Sequence, residues 1–336
     1  MPAAGAADQP GDACPTNGAF VQLGSGWIQC TNGTWQPSNG PTGSSGGGAT
    51  TPPSSGASSV KPIRGWSTIG TALTPATFGS SKGQVADASA IRLTNGRVRV
   101  FAFVADEGIR SALSTSASGT SFVGDATKPI PWAMAGQPRV VPLGGNSMRL
   151  FYLSGGSIHA ATSSDGGITF TDEGPVITTA QAGFEPGGIT VIKHGGGYRG
   201  YFSNLEKPGV IATRVIRTAT SPDMLQWTMG PVISQSSGAL DDGGSHPFAL
   251  IDKKGKIALY YSADRGSYYG IFVSTSKDGI TFSNERAVME RGGDGDLIPA
   301  ASRATGEKGG LMYYGADIGN NEFGVKVAKT SRPLVP

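Results

Sequence analysis

The 336-residue sequence has two cysteines, three histidines and only a slight excess of positive charge, with 27 Lys and Arg against 24 Asp and Glu. The basic residues are scattered rather than striped, which excludes a nucleic-acid-binding face. No run approaches the roughly 18 apolar residues of a membrane-spanning helix, so no membrane partner is expected. The cysteines, Cys14 and Cys30, form no CxxC pair, which argues against zinc. The turn-rich filling between them, around Asn17-Gly18 and Gly24-Ser25-Gly26, favours a disulfide. Such a closure is worth about 3 kcal/mol in the chain-entropy model and calls for an oxidising compartment. The opening Met1–Ala7 lacks the charged-then-apolar start of a secretory signal and reads as a mature N-terminus behind an added Met. The expected location is therefore outside the cell. Long helix-forming runs are missing as well. The 53 Gly and 22 Pro, with Ser and Thr throughout, suit many short strands joined by tight turns, and the expected class is all-β.

Residues 37–60 are almost wholly Gly, Ser, Thr, Pro and Ala, a composition that cannot bury enough surface to fold. They read as a flexible linker between a leader with a small disulfide-closed module, 1–36, and a large domain, 61–336. Within the module, Trp35 is expected to pack on the disulfide.

The large domain is repetitive. Ser157–Phe170, Val215–Trp227 and Gly270–Phe282 each contain an alternating strand, a turn carrying Asp165, Asp223 or Asp278, and an aromatic that opens the next strand. Gly108–Phe122 is a looser copy and Phe323–Ser331 a degraded one. Each reads as a β-hairpin. Ahead of each lies a second hairpin, headed by Asp87, Gln137, Glu185, His246 or Asp296 and followed by an apolar strand such as Val98–Phe103 or Ile257–Tyr261. Paired hairpins recurring about every 50 residues give a five-bladed β-propeller. The last blade lacks a fourth strand, and Trp66–Leu73 echoes the fourth strands Phe170–Ile177 and Trp227–Ile233. It is expected to pair into blade five and close the ring, leaving no open edge.

The turns around Asp165, Asp223 and Asp278 resemble the Asp-box of sialidases, where the Asp is structural. A turn Asp caps neighbouring backbone N–H groups, and these turns are expected on the face away from the site. Polar residues at the heads of five apolar strands have no packing reason to be there. They should meet at the mouth of the central channel, as walls of a wet channel or as a ligand site.

Five blades with acidic groups heading the inner strands resemble the inverting enzymes of glycoside hydrolase family 43, which include arabinanases; the likeness spans about residues 61–336. In that family acids head blades one, three and four as Asp base, Asp modulator and Glu acid. The resemblance implies Asp87 as base, puts Glu185 in place of the blade-three Asp, and sets His246 where the acid is expected. A related five-bladed family acting on agar oligosaccharides uses a His acid, and Glu185 is the alternative. Asp296 completes the expected catalytic set. An inverting site needs a carboxylate to activate water and a protonated group across the sugar, about 6.5–9.5 Å away. Asp241, Asp242 and Asp296 are negative charges available to keep that acid protonated. Gln137, Arg139, Asn204, Asp241, Asp242, Arg265, Tyr268 and Trp132 are expected to bind the sugar.

The expected function is thus a secreted, monomeric, inverting glycoside hydrolase that cleaves an extracellular polysaccharide, an L- or D-arabinan, in the endo manner. No cofactor is required, and a structural calcium ion would fit the channel. The alternatives are a non-catalytic carbohydrate-binding propeller and a sialidase-like enzyme. Lectin propellers repeat one set of residues in every blade, whereas these five heads differ, which favours a single asymmetric site. A sialidase needs six blades.

Overall fold

The computed structural model describes residues 65–81, 83–130, 135–205, 214–235, 244–264, 269–290, 293–299, 308–320 and 322–336, and the backbone of 20–23, 26–31 and 34–38. The chain divides into two units, Met1–Ser59 and Val60–Pro336. In the first, β1 (Phe20–Leu23), β2 (Gly26–Thr31) and β3 (Thr34–Ser38) make an antiparallel meander in which Cys30 pairs with Trp35. Cys14, the expected disulfide with it, and residues 39–60 of the linker lie outside the described residues.

The second unit is a five-bladed β-propeller. It begins with β4 (Trp66–Leu73). Blade one is β5 (Val85–Arg92), β6 (Val98–Val104), β7 (Gly108–Ser114) and β8 (Phe122–Gly124). Blade two is β9 (Gly136–Gly144), β10 (Ser147–Ser154), β11 (Ser157–Ser163) and β12 (Thr171–Ile177). Blade three is β13 (Pro186–His194), β14 (Gly197–Leu205), β15 (Arg214–Ser221) and β16 (Thr228–Val232). The short β17 (Ser234–Gln235) precedes blade four, which is β18 (Ser245–Ile251), β19 (Ile257–Asp264), β20 (Tyr269–Ser276) and β21 (Thr281–Glu290). Blade five is β22 (Gly293–Pro299), β23 (Lys308–Gly319) and β24 (Glu322–Pro333), closed by β4. That closure is antiparallel, from Val325 opposite Leu73 to Thr330 opposite Trp66. The first strands form the inner ring: β5 touches β9, β9 touches β13, β13 touches β18, β18 touches β22, and β22 returns to β5.

A blade is covered on both faces by its neighbours, so its second strand is apolar on both sides; Val98, Val100, Phe101, Ala102 and Val104 are all buried. The core is accordingly divided into five clusters, one between each pair of adjacent blades, for example Leu73, Val85, Val100, Leu311 and Val327 between blades five and one. Polar latches repeat with the same period. A second-strand side chain of one blade donates to a carbonyl in the outer turn of the next: Arg149 Nη1 to Asp223 O at 2.8 Å, Tyr201 Oη to Gly279 O at 3.1 Å, and Tyr313 Oη to Gly119 O at 2.6 Å. Gly119 has φ of 66°, and a Cβ there would lie 2.6 Å from that Tyr313 oxygen, so the latch requires glycine. Blade five lacks that turn, and the C-terminal segment takes its place as the partner of blade four: Tyr260 Oη donates to Leu334 O at 2.6 Å.

The three Asp turns are structural. Asp278 Oδ1 accepts from the Ile280 and Thr281 amides at 2.8 Å, and Asp223 Oδ1 from Leu225 and Gln226 at 2.8 and 2.9 Å. Both carboxyls are thereby held below the usual carboxylate range. Partial burial pushes Asp165 upward, but hydrogen bonds from Thr169, Ser163 and the Thr169 and Ile168 amides outweigh it and hold it at about 2. Groups depressed in the folded state stabilise it above their unfolded value of about 3.9 and lose that contribution as pH falls through the folded value. The melting temperature is therefore expected to fall between about pH 4 and pH 2. Combining Asp165→Asn, Asp223→Asn and Asp278→Asn should flatten that limb; a limb as steep as the parent's would assign acid sensitivity elsewhere.

Candidate active site at the propeller mouth

All five inner strands start with the same irregularity, in which two residues oppose one on the second strand. In blade one the register jumps from Ala86↔Phe103 to Ser89↔Phe101, leaving Asp87 and Ala88 in the bulge. The same jump leaves Gln137-Pro138 in blade two, Gly187-Gly188 in blade three, His246-Pro247 in blade four and Asp294-Gly295 in blade five. Bulges re-aim side chains at sites. Here they do so through strained backbone: Asp87, Gln137 and His246 have φ of 54°, 48° and 49°. Non-glycine residues in the left-handed region are uncommon and cost of order 1–3 kcal/mol each.

The ring is therefore Asp87, Gln137, Gly187, His246 and Asp294, which corrects two of the five expected heads. Glu185 is exposed and sits just ahead of β13, two residues before the ring position. Asp296 follows the bulge and pairs with Tyr313, in register with Ser89 and Arg139. In sequence, Glu185-Pro186 mimics Gln137-Pro138 and His246-Pro247. The better signal was a Gly, Ala or Pro at the second bulge position, which picks out Gly187 and Asp294.

Across the axis, His246 Nε2 lies 3.4 Å from Asp87 Oδ1, each side chain about one-tenth exposed. His246 Nδ1 is 3.2 Å from Ser245 Oγ. Two residues far apart in the chain, each at the head of a different blade, thus form a buried carboxylate–imidazole contact.

The wall around them is knit by residues expected to bind sugar. Asn204 Nδ2 donates to Phe184 O at 2.9 Å and Glu185 O at 3.4 Å, fixing the backbone that carries Glu185. Gln137 Oε1 accepts from the Gly188 amide. A Cβ on Gly187 would stand 2.3 Å from Ser203 Oγ and 3.2 Å from Gln137 Oε1, so only glycine leaves room for this crossing. Arg139 Nη1 donates to Pro138 O at 2.9 Å and Ala88 O at 3.4 Å. Arg139 and Asn204 are each 2% exposed, so both belong to the wall. Trp132, Asp241, Asp242, Arg265 and Tyr268 lie outside the described residues, and Asp296 is described by its backbone alone. Among the described residues no three His, Cys, Asp or Glu side chains gather as a metal cluster.

No family profile matches the chain, and no curated protein is significantly similar to it in sequence. Solved structures are similar in fold. The chain resembles an α-L-arabinofuranosidase from Podospora anserina, solved with cellotriose, at TM-score 0.56 and 12% identity over 80% of this chain and 97% of that one. It resembles an α-L-arabinanase from Penicillium chrysogenum, solved with arabinobiose, at 0.53 and 11% over 80% and 98%. A glycosyl hydrolase from Bacteroides ovatus gives 0.53 and 18% over 82% and 93%. At these identities the likeness establishes the five-bladed fold.

Proposed function

We propose that the propeller is an inverting glycoside hydrolase that cleaves an extracellular polysaccharide, foremost an arabinan, and that it works as a secreted monomer. The observation that carries this reading is Asp87: a carboxylate in strained left-handed backbone at the ring of a propeller mouth, with His246 at 3.4 Å. An α-L-arabinanase and an α-L-arabinofuranosidase that share the fold support this choice of substrate class.

Asp87 takes a proton from water as the oxygen attacks the anomeric carbon. The glycosidic C–O bond breaks on the opposite face, and its oxygen takes a proton from the acid. Base and acid in an inverting enzyme stand about 6.5–9.5 Å apart, to hold sugar and water between them. His246 touches Asp87 and is too near for that place. Its role is to orient the base, and the acid role falls to Glu185, which Asn204 fastens through its backbone.

Glu185→Gln is then expected to lower turnover of a polymer by about 10²–10⁴-fold and to spare aryl glycosides whose leaving group needs no proton. The same leaving-group pattern in His246→Ala, with Glu185→Gln fully active, would return the acid role to His246. Screening L- and D-arabinan among a panel of polysaccharides, with NMR of the first-formed anomer, tests the whole reading. Inverted product is expected. Binding of a glycan without hydrolysis of any would leave a sugar-binding propeller.

A further inference from the structure

Blade two has no acid at its head, yet it stands between the two blades that carry the base and the acid, since β9 contacts both β5 and β13. Two of its side chains cross to those neighbours. Arg139 Nη1 donates back to Ala88 O at 3.4 Å, on the residue after Asp87, and Gln137 Oε1 accepts from the Gly188 amide on the other side. Both targets lie in bulges, where main-chain groups drop out of the strand ladder and need partners from elsewhere. The fit to blade three is close: a Cβ on Gly188 would stand 3.3 Å from Gln137 Oε1 and 3.4 Å from Gln137 Cβ. Beside the contact with blade one, the Val140 amide donates to Ser89 Oγ at 2.9 Å.

Arg139 differs from the other buried arginines among the described residues. Arg99 pairs with Asp125 and Arg149 with Glu173, whereas Arg139 bonds only the main-chain oxygens of Pro138 and Ala88. Its Nε and Nη2 are buried without a partner. A cation buried without a carboxylate is costly, and an apolar chain would fill the same space without that cost, so packing alone does not call for it. We infer that Gln137 and Arg139 brace the heads of blades one and three, and so set the separation of Asp87 from Glu185, as positioning residues rather than sugar-binding ones. Their effect on catalysis rests on the hydrolase reading, in which base and acid flank sugar and water at about 6.5–9.5 Å. A displacement of about 1 Å in such an arrangement can cost about 10²-fold in rate.

Gln137→Leu removes the acceptor at similar size and Gln137→Glu keeps it; Arg139→Met removes the donors and Arg139→Lys keeps an ammonium. Gln137→Leu and Arg139→Met are expected to lower kcat on the polymer by about 10–10²-fold with KM within about twofold of the parent's. Gln137→Glu and Arg139→Lys should recover most of that loss. In the absence of substrate, amide exchange at Gly188 followed by NMR should be about tenfold faster in Gln137→Leu and unchanged in Gln137→Glu, as expected for one hydrogen bond. Melting curves show that each variant is folded; should Arg139→Met fail to fold, the Gln137 pair decides. A raised KM at unchanged kcat would make these residues sugar ligands and overturn the inference. Parent kinetics in folded Gln137→Leu, or parent exchange at its Gly188, would overturn it as well. Failure of the wild type to hydrolyse any glycan would instead strike the hydrolase reading, and the exchange comparison would then test the brace by itself.

Discussion

Replacing Asp87 with Asn is expected to lower kcat/KM on the polymeric substrate by about 10²–10⁴-fold while the protein stays folded and still binds glycan. The substitution keeps the side chain's shape and removes only its capacity to accept a proton from water. Asn is, with Asp, among the residues that tolerate left-handed backbone, so the φ of 54° at this position is not made more costly. Turnover on matched substrate concentrations, isothermal binding of an oligosaccharide and a melting curve separate the three effects. Wild-type turnover in Asp87→Asn would remove the base from the mechanism. Lost turnover accompanied by lost folding would reduce Asp87 to a structural role at the ring.

Deleting residues 1–75 should convert a soluble protein into an aggregating one, whereas deleting 1–60 should leave a folded, active propeller. The longer deletion removes β4, whose partner β24 would then present its hydrogen-bonding edge from Val325 to Thr330 to any other chain. It also withdraws Ala72 and Leu73 from the core between blades five and one, and the Thr68 Oγ1 to Tyr314 Oη contact at 2.7 Å. Removing one large buried aliphatic side chain alone typically costs 2–5 kcal/mol, a large part of the 5–15 kcal/mol by which most domains are stable. Size-exclusion chromatography and melting curves of the two truncations decide the matter. A longer truncation that elutes as a monomer and melts with the parent would mean that the ring does not depend on β4.

The blade count, the closing strand and the Asp turns were legible in the sequence because each is a local pattern repeated. Alternating apolar strands recur in every block and Ser-x-Asp turns in three of them, and Trp66–Leu73 resembles the other fourth strands. Repetition averages away the errors of any one segment. The heads of the inner strands were less legible. Asp87, Gln137 and His246 were found, since each is a polar residue breaking an apolar run, but Glu185 and Asp296 were each set two residues from the ring. A proline after Glu185 mimicked the proline after Gln137 and His246, and the glycine that occupies the blade-three position carries no side chain to notice.

The sequence by itself determined five blades, their order and their closure, because strand period and turn chemistry are written in neighbouring residues. Which side chains meet at the axis was decided only by the tertiary structure. A two-residue bulge at the head of each inner strand changes which residue points into the mouth, and a slip of one residue turns a side chain to the other face. The contact of His246 with Asp87 joins blade four to blade one across the channel. No local pattern encodes it, because it exists only once all five blades have closed into a ring.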